Sequence, residues 1–446
     1  VGKGRRRWGD QRFCPAFALP SGARLPQTWA TKITTAMVTY QEKQLKDVSK
    51  QFQIYGQILH AETCKIGHIN ETYTATYDQG GARVRYIHQK INKNVFRNPP
   101  AVMRNLIRVT NHLRHKLEAE NAADLTRRCL TIIPTRNGEP WYEDPAGDYW
   151  RTFVFIEGLQ TFEAVQTAEQ AFEAGRAFGE FQRLLVDLPG GRLHETIPNF
   201  HHTPKRFEAF EQAVEEDRIN RATQARAEID WAVRNKHLAS VLLDAFARGH
   251  IPERVTHNDT KFNNVMLDRS SGKACCVVDL DTVMPGLALY DFGDMVRTTT
   301  SPTVEDELDL AKVKMQIPMF EALARGYLST AGQFLTQAER DFIVFSGKLI
   351  TFTIGLRFLT DFLNGDVYFR VHRPGHNLDR CRTQFRLIES IAEQEEHMQK
   401  LVKSLSGDPH APTAPPKKKV SVTAVAPAPS GKPAKKLPRK RKSARR

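Results

Sequence analysis

Leu45, Val48, Phe52, Ile54 and Tyr55 carry the apolar positions of Tyr40 to Leu59, which predicts an amphipathic helix ending near Gly56. Strand signals then take over. Glu62 to Ile66, Ile69 to Tyr77 and Arg83 to Ile91 read as strands, with Asp78-Gln79-Gly80-Gly81 as a hairpin turn. A helix is expected over Pro100 to Asn121, a hairpin tip over Trp141 to Gly147, and a strand from Trp150 running into Gly158. Beyond it the period is helical. Phe162 to Leu188 turns Phe172, Phe178, Phe181, Leu184 and Leu185 inward. Further helices are expected over Pro204 to Asn235, His237 to Arg248, Val304 to Leu328, Gln337 to Asn364 and Leu378 to Leu405. Strands followed by helices predict an α+β fold with one antiparallel sheet and a larger helical part.

One stretch interrupts the helices and carries the chemistry. Arg254 to Thr256 reads as a short strand, His257 to Lys261 as a polar loop, and Asn264 to Leu267 with Lys273 to Val278 as a hairpin turning at Asp268 to Gly272. Asp259 can orient a substrate hydroxyl and accept its proton. Asn264, five residues on, can offer a carbonyl oxygen to Mg²⁺, and Asp279 a carboxylate to the same ion. Lys261 can set its ammonium against phosphate, and His257 can brace the loop by a hydrogen bond. Asp291-Phe292-Gly293 spells another metal-binding triplet, but it lies past Pro285-Gly286 and a loop. Asp291 is expected to accept backbone N–H groups of the catalytic loop or to cap a helix beginning near Gly293.

The block resembles the protein-kinase catalytic loop followed by a metal-binding Asp. It is more similar to the small-molecule branch of that fold, the aminoglycoside phosphotransferase and choline kinase group. Within that branch, His257 to Val265 and Val278 to Leu287 are most similar to the N-acetylhexosamine 1-kinases, over roughly residues 45 to 404. The resemblance implies a bilobal fold, with a small sheet-bearing N-lobe over 37–157, a helical C-lobe over 158–405, and ATP in the cleft between them. It implies that the loop Lys65 to Thr72 covers the phosphates. There Gly67 would let the backbone approach, and Asn70 and Thr72 would hydrogen-bond; the alternative is a plain hairpin turn. It matches Lys90 to the strand lysine that touches the α- and β-phosphates, although the next helix presents only bases before Glu118 and no Glu partner is named. Backbone groups of Val154, Phe155, Ile156 and Glu157 would pair with the adenine edge. Arg357 and Tyr368 would face the acceptor, the anomeric hydroxyl of N-acetylglucosamine or N-acetylgalactosamine; for Arg357 the alternative is a surface pair with Asp361. His194 and His201, with no matching carboxylate or Cys cluster, are read as structural. A kinase of an aminoglycoside, an amino alcohol or another sugar is the nearest alternative. A non-catalytic binding module with a nucleic-acid-binding tail is a more distant one.

Composition changes this picture at the ends. Of the net charge of +15, +6 lies in residues 1–36 and +11 in residues 406–446, which leaves −2 on 37–405. Basicity therefore says nothing about the substrate of the globular body. Both ends are expected to be disordered. The Lys/Arg/Pro/Ala-rich tail reads as a solvated segment with nonspecific affinity for nucleic acid or an anionic surface. Met37 directly precedes the first helical pattern, so translation is expected to start there, which N-terminal sequencing of the native protein checks. The 446 residues, 40% hydrophobic, can bury a sizeable core. They contain no run of eighteen apolar residues, and the six cysteines show no C-x-x-C, which points to a reduced, cytoplasmic protein without a membrane span.

Overall fold

The computed structural model describes residues 44–64 and 69–406; Gly67, the basic leader and the tail lie outside them. Helix α1 (44–49) precedes strands β1 (Gln57–Thr63), β2 (Glu71–Gln79) and β3 (Ala82–Lys90). Helix α2 (Pro99–Ala119), the single turn α3 (Leu125–Arg128), and strands β4 (Ile132–Ile133), β5 (Tyr142–Glu143) and β6 (Tyr149–Val154) complete the N-lobe. Its sheet is antiparallel in the order β1-β2-β3-β6-β4, with β5 also on β6. The two-residue turn Gly80–Gly81, with φ of +66° and +91°, fixes the β2–β3 register, because both positions need the left-handed region that glycine enters freely.

The C-lobe contains β7 (Leu159–Gln160), α4 (Ala168–Leu185), α5 (Thr203–Glu216), α6 (Arg226–Arg234) and α7 (Val241–Ala247). There follow β8 (Arg254–Thr256), β9 (Val265–Asp268), β10 (Ala274–Val277), β11 (Met284–Gly286) and α8 (Ala288–Thr299). Last come α9 (Ile317–Ala331), α10 (Gln337–Asp341), α11 (Ile343–Leu363), α12 (His376–Glu393) and α13 (Glu395–Ser406). Helices α4 and α9 meet at van der Waals distance. A Cβ on Gly326 would lie 2.0 Å from the Phe172 carbonyl oxygen, so glycine is what allows that approach. Helix α11 is apolar and long enough to cross a membrane, but it packs inside the C-lobe against α5, α8 and α12. All cysteines among the described residues are free thiols.

The expected element types hold, and several boundaries move. The first helix stops at residue 49: Phe52 bridges to Thr135, Gln53 N–H donates to the Pro134 carbonyl, and β1 already begins at Gln57. Burial of Leu45, Val48, Phe52 and Ile54 therefore follows the fold of the N-lobe, not one continuous helix face. The expected helix from Pro204 to Asn235 breaks where Asp217 and Asn220 adopt positive φ. Helix α4 starts only at its Thr167 cap. Residues 304–316 lie ahead of α9, whose first turn carries Pro318, and α8 begins five residues before Gly293.

The two sheet faces have different covers. Ile87 and Phe153 pack with α2, whereas Tyr73, Tyr77, Tyr86 and Trp150 pack with Leu45, Val48 and Phe52. On the second face His88 is fully buried, bonded to Tyr77 Oη at 2.9 Å and Thr152 Oγ1 at 2.8 Å. Burial drives its pKa down to about 4. The folded state thus holds His88 neutral while the unfolded chain protonates below about pH 6.5, so stability is complete above that value and falls as pH drops toward 4. The expected loss from this group between about pH 6.5 and 5 is roughly 1.5 kcal/mol. Urea unfolding of the parent and His88→Gln across that range checks it: the variant should be less stable near neutrality but show a flatter decline, and an equally steep decline would refute the assignment.

Candidate active site

The loop between β8 and β9 is held by buried carboxylates beneath it. Asp291 accepts the backbone N–H of His257 at 2.9 Å and of Asn258 at 2.7 Å, and Asp294 accepts that of Thr260 at 2.9 Å. Gln182 donates to Asp291 at 2.7 Å and is itself held by the Tyr327 hydroxyl at 2.6 Å. Asp291 is therefore the loop's anchor, one of the two roles expected of it. Asn258 sits at φ +65° and donates its amide to the carbonyls of Thr256 and Thr282. His257 lies edge-on to Phe178 and Phe181. Its Nδ1 accepts from Asp259 N–H at 3.3 Å, so Nε2 carries the proton and donates to the Val278 carbonyl at 2.9 Å. One imidazole thus ties Asp259 to the strand end that leads into Asp279.

Asp259, Lys261, Asn264 and Asp279 come together. Lys261 Nζ is 3.1 Å from Asp259 Oδ1, and Asn264 Nδ2 donates to the Asp259 carbonyl at 2.8 Å and to its Oδ2 at 3.2 Å. The Asn264 carbonyl accepts Val278 N–H at 2.9 Å, bringing it to the residue before Asp279. The recessed position of Asp259 works against ionisation, but Lys261, His257 and Arg297 outweigh it and keep the carboxyl below its ordinary pKa. Lys261 is raised, mainly by Asp259. Asp279, in the left-handed region at φ +59°, is exposed. Desolvation by the surrounding protein atoms, with the charges of Asp281 and Asp259, raises it to about 6.

This donor set fits a divalent cation. Asp279 is a carboxylate crowded by like charge, and Asn264 spends its amide N–H₂ on Asp259, which turns its carbonyl oxygen to other partners. A hard ion takes such oxygens and completes its shell with phosphate and water. No cluster of three His, Cys, Asp or Glu suited to a metal occurs among the described residues. His194 Nε2 accepts from Arg104 Nε at 3.3 Å, and His201 Nε2 donates to the Asn258 carbonyl at 2.9 Å.

The N-lobe reaches this centre through a residue the sequence reading did not single out. Arg151 on β6 is buried and grips buried Asp281 with both terminal nitrogens, Nη1 to Oδ1 at 2.5 Å and Nη2 to Oδ2 at 3.0 Å. Gln89 Oε1 accepts from Arg151 Nε at 3.0 Å, and Asn70 Nδ2 donates to Asp281 Oδ2 at 2.6 Å. The available signal was an arginine inside the apolar strand Trp150 to Val154, since a buried guanidinium needs a carboxylate.

Several expectations change as a result. Lys90 is one residue out of phase with Gln89, so it points to the opposite sheet face. Its ammonium meets Glu71 at 2.6 Å and Asp148 at 3.8 Å, so its acidic partner comes from the neighbouring strand and not from α2. Asn70 has both amide ends engaged, the second accepting Asn92 N–H at 3.0 Å, and Thr72 Oγ1 accepts from Gln89 at 3.0 Å. All three side chains are engaged within the protein. At the hinge, Val154 N–H donates to Thr131 and Phe155 N–H to Arg85. The Glu157 side chain pairs with Arg85, and its main-chain carbonyl accepts from Arg127 Nε at 3.3 Å. Ile156 is buried with Leu159 and Cys276, and Met266 and Val278 pack against them.

On the far side of the loop, Arg357 and Tyr368 meet, Nη2 to Oη at 3.3 Å. The Arg357 guanidinium lies 5.1 Å from the Phe200 ring and 5.2 Å from that of Phe369. The surface pair with Asp361 does not form: Asp361 is buried and accepts the backbone N–H groups of Val367, Tyr368 and Phe369. Arg206, recessed beside Arg357 and bonded to the Phe200 carbonyl, completes this wall.

A model of the phosphotransferase enzyme family APH matches residues 60–328, a span that includes Asp259, Asn264 and Asp279 and ends before Arg357. Among solved structures, an aminoglycoside phosphotransferase from Alicyclobacillus acidocaldarius aligns at 11% identity over 80% of this chain and 94% of its own, with a TM-score of 0.49. A choline kinase from Cryptosporidium parvum aligns at 14% identity over 82% and 100%, with a TM-score of 0.48. A microcompartment-associated aminopropanol kinase aligns at 14% over 80% and 98%, also at 0.48.

Proposed function

The chain belongs to this phosphotransferase enzyme family, and on that premise we propose that it transfers the γ-phosphoryl group of ATP to a hydroxyl of a small molecule, most specifically the anomeric hydroxyl of an N-acetylhexosamine. The gathering of Asp259, Lys261, Asn264 and Asp279 on one loop and hairpin carries the reading. Asp259 accepts the acceptor's O–H and takes its proton as the oxygen attacks phosphorus. Its depressed pKa suits orientation more than strong base catalysis, and phosphoryl transfer asks chiefly for positioning and charge neutralisation. Lys261 places a positive charge beside both Asp259 and the incoming phosphate. Asn264 and Asp279 would hold Mg²⁺, whose charge would offset the negative charge that develops on the phosphate. The main chain of Ile156 and the N–H of Glu157 face the adenine edge, and Arg357 with Tyr368 binds the acceptor. The hexosamine assignment draws on the catalytic block and on the Arg357–Tyr368 contact.

Magnesium-dependent ADP release with a panel of sugars, amino alcohols and aminoglycosides tests the proposal. N-acetylglucosamine or N-acetylgalactosamine is expected to stimulate release at least tenfold over the acceptor-free background. The product should be non-reducing, with its phosphorus coupled to the anomeric proton. Stimulation by an amino alcohol or aminoglycoside instead would remove the sugar assignment and keep the kinase. No stimulation by any class would remove both.

A further inference from the structure

Beneath the catalytic loop, away from Asp279, lies a cavity of about 150 Å³ whose walls include Phe200, His201, Asn258, Met284, Leu287 and Tyr290. Its rim is an exposed ion-paired triad, Arg192 with Glu195 and Glu253, each at 2.9 Å. The rim charges thus neutralise one another, and the lining mixes polar side chains with apolar ones. One polar atom there is buried and unsatisfied. His201, 5% exposed, spends Nε2–H on the Asn258 carbonyl at 2.9 Å, and its buried Nδ1 has no partner. That nitrogen is therefore a bare acceptor. Tyr290, 6% exposed and with its ring 5.4 Å from that of His201, has a hydroxyl with no hydrogen-bond partner among the described residues.

Buried polar groups in folded proteins are nearly always paired, and a bare acceptor near an unpaired hydroxyl in a pocket of this size defines the ligand it fits. We propose that this cavity is a binding site for an uncharged small molecule that donates an N–H or O–H to His201 Nδ1 and hydrogen-bonds the Tyr290 hydroxyl. Burial keeps the imidazole neutral, with a pKa near 4, and raises the phenol, so neither group calls for a charged partner. The imidazole that would receive the ligand also holds Asn258, the strained residue next to Asp259, which places the occupant one hydrogen bond from the catalytic loop.

N-methylacetamide and N,N-dimethylacetamide, titrated into the full-length protein and followed by ligand-observed NMR, separate the possibilities. The two share an apolar acyl shape, but only the first has an N–H. N-methylacetamide should bind at least about fivefold more tightly, the expected consequence of one buried hydrogen bond. Tyr290→Phe should weaken it about fivefold with an unchanged melting temperature, and Leu243→Trp, on the cavity wall, should abolish it. Equal affinity for the two amides, binding indifferent to Leu243→Trp, or no binding at all would overturn the proposal. The last outcome would mean that ordered water alone fills the space. The readout needs neither ATP nor turnover, so it stands or falls separately from the phosphotransferase reading.

Discussion

An Asp259→Asn protein is expected to lose about 10³-fold or more in kcat while its melting temperature stays within roughly 2 °C of the parent. The substitution keeps the size of the side chain and leaves an oxygen to accept from Asn264 Nδ2, which lies 3.2 Å from Oδ2. It removes one of the negative charges that hold Asp279 near 6, so the local repulsion falls. Lys261 loses its partner, but its side chain is 45% exposed and solvent can receive the ammonium. Stability therefore changes little, whereas the acceptor hydroxyl loses the group that orients it. Steady-state ADP release with the best acceptor, beside a thermal melt, checks both halves. Turnover within tenfold of the parent would mean that Asp259 does not face the reacting hydroxyl. The companion Asp279→Asn should instead raise the Mg²⁺ concentration needed for half-maximal rate, separating the metal-side carboxylate from the acceptor-side one.

Arg151→Met is expected to cost about 3–5 kcal/mol of unfolding free energy, the range for breaking a buried ion pair from one side. Each partner's side chain is only 2% exposed, so Asp281 would be left with Asn70 as its side-chain donor and no counter-charge. Because Arg151 belongs to the N-lobe sheet and Asp281 follows Asp279 by two residues, the loss should also loosen the metal-side loop and lower kcat. The double variant Arg151→Met/Asp281→Leu should recover most of the stability, since an apolar pair needs no compensation. Urea denaturation of the parent, the single and the double variant reads this directly. A single variant within about 1 kcal/mol of the parent would show that the pair is not a cross-lobe tie.

The catalytic hairpin was legible because its signals are local. The strand, polar loop and turn from Arg254 to Val278 are set by side-chain preferences over a few residues, and the bracing role of His257 followed from its place in that loop. The Gly80–Gly81 turn was legible for the same reason, since glycine's access to positive φ needs no distant partner. Asp291 was separable from Asp279 because Pro285-Gly286 and a loop intervene in the sequence, and it holds the β8–β9 loop from beneath.

What escaped the sequence depends on phase and on contacts between distant segments. Whether Lys90 or its neighbour Gln89 turns toward Asp281 is a question of one residue of strand register, and a single step exchanges the two faces. The Arg151–Asp281 pair joins positions 130 apart, so neither neighbourhood announces it. Arg357 stood between two partners until Asp361 was found closing the backbone of residues 367–369, and the breaks at Asp217 and Asn220 sit inside an otherwise helical pattern. The order of elements, the catalytic loop and the reaction class were thus determined by residues close together along the chain, whose conformational preferences act before any distant contact forms. Which cation faces the metal side, which acid anchors which loop and where a cavity remains were decided only by packing, because a buried charge takes whichever partner the folded arrangement brings within reach.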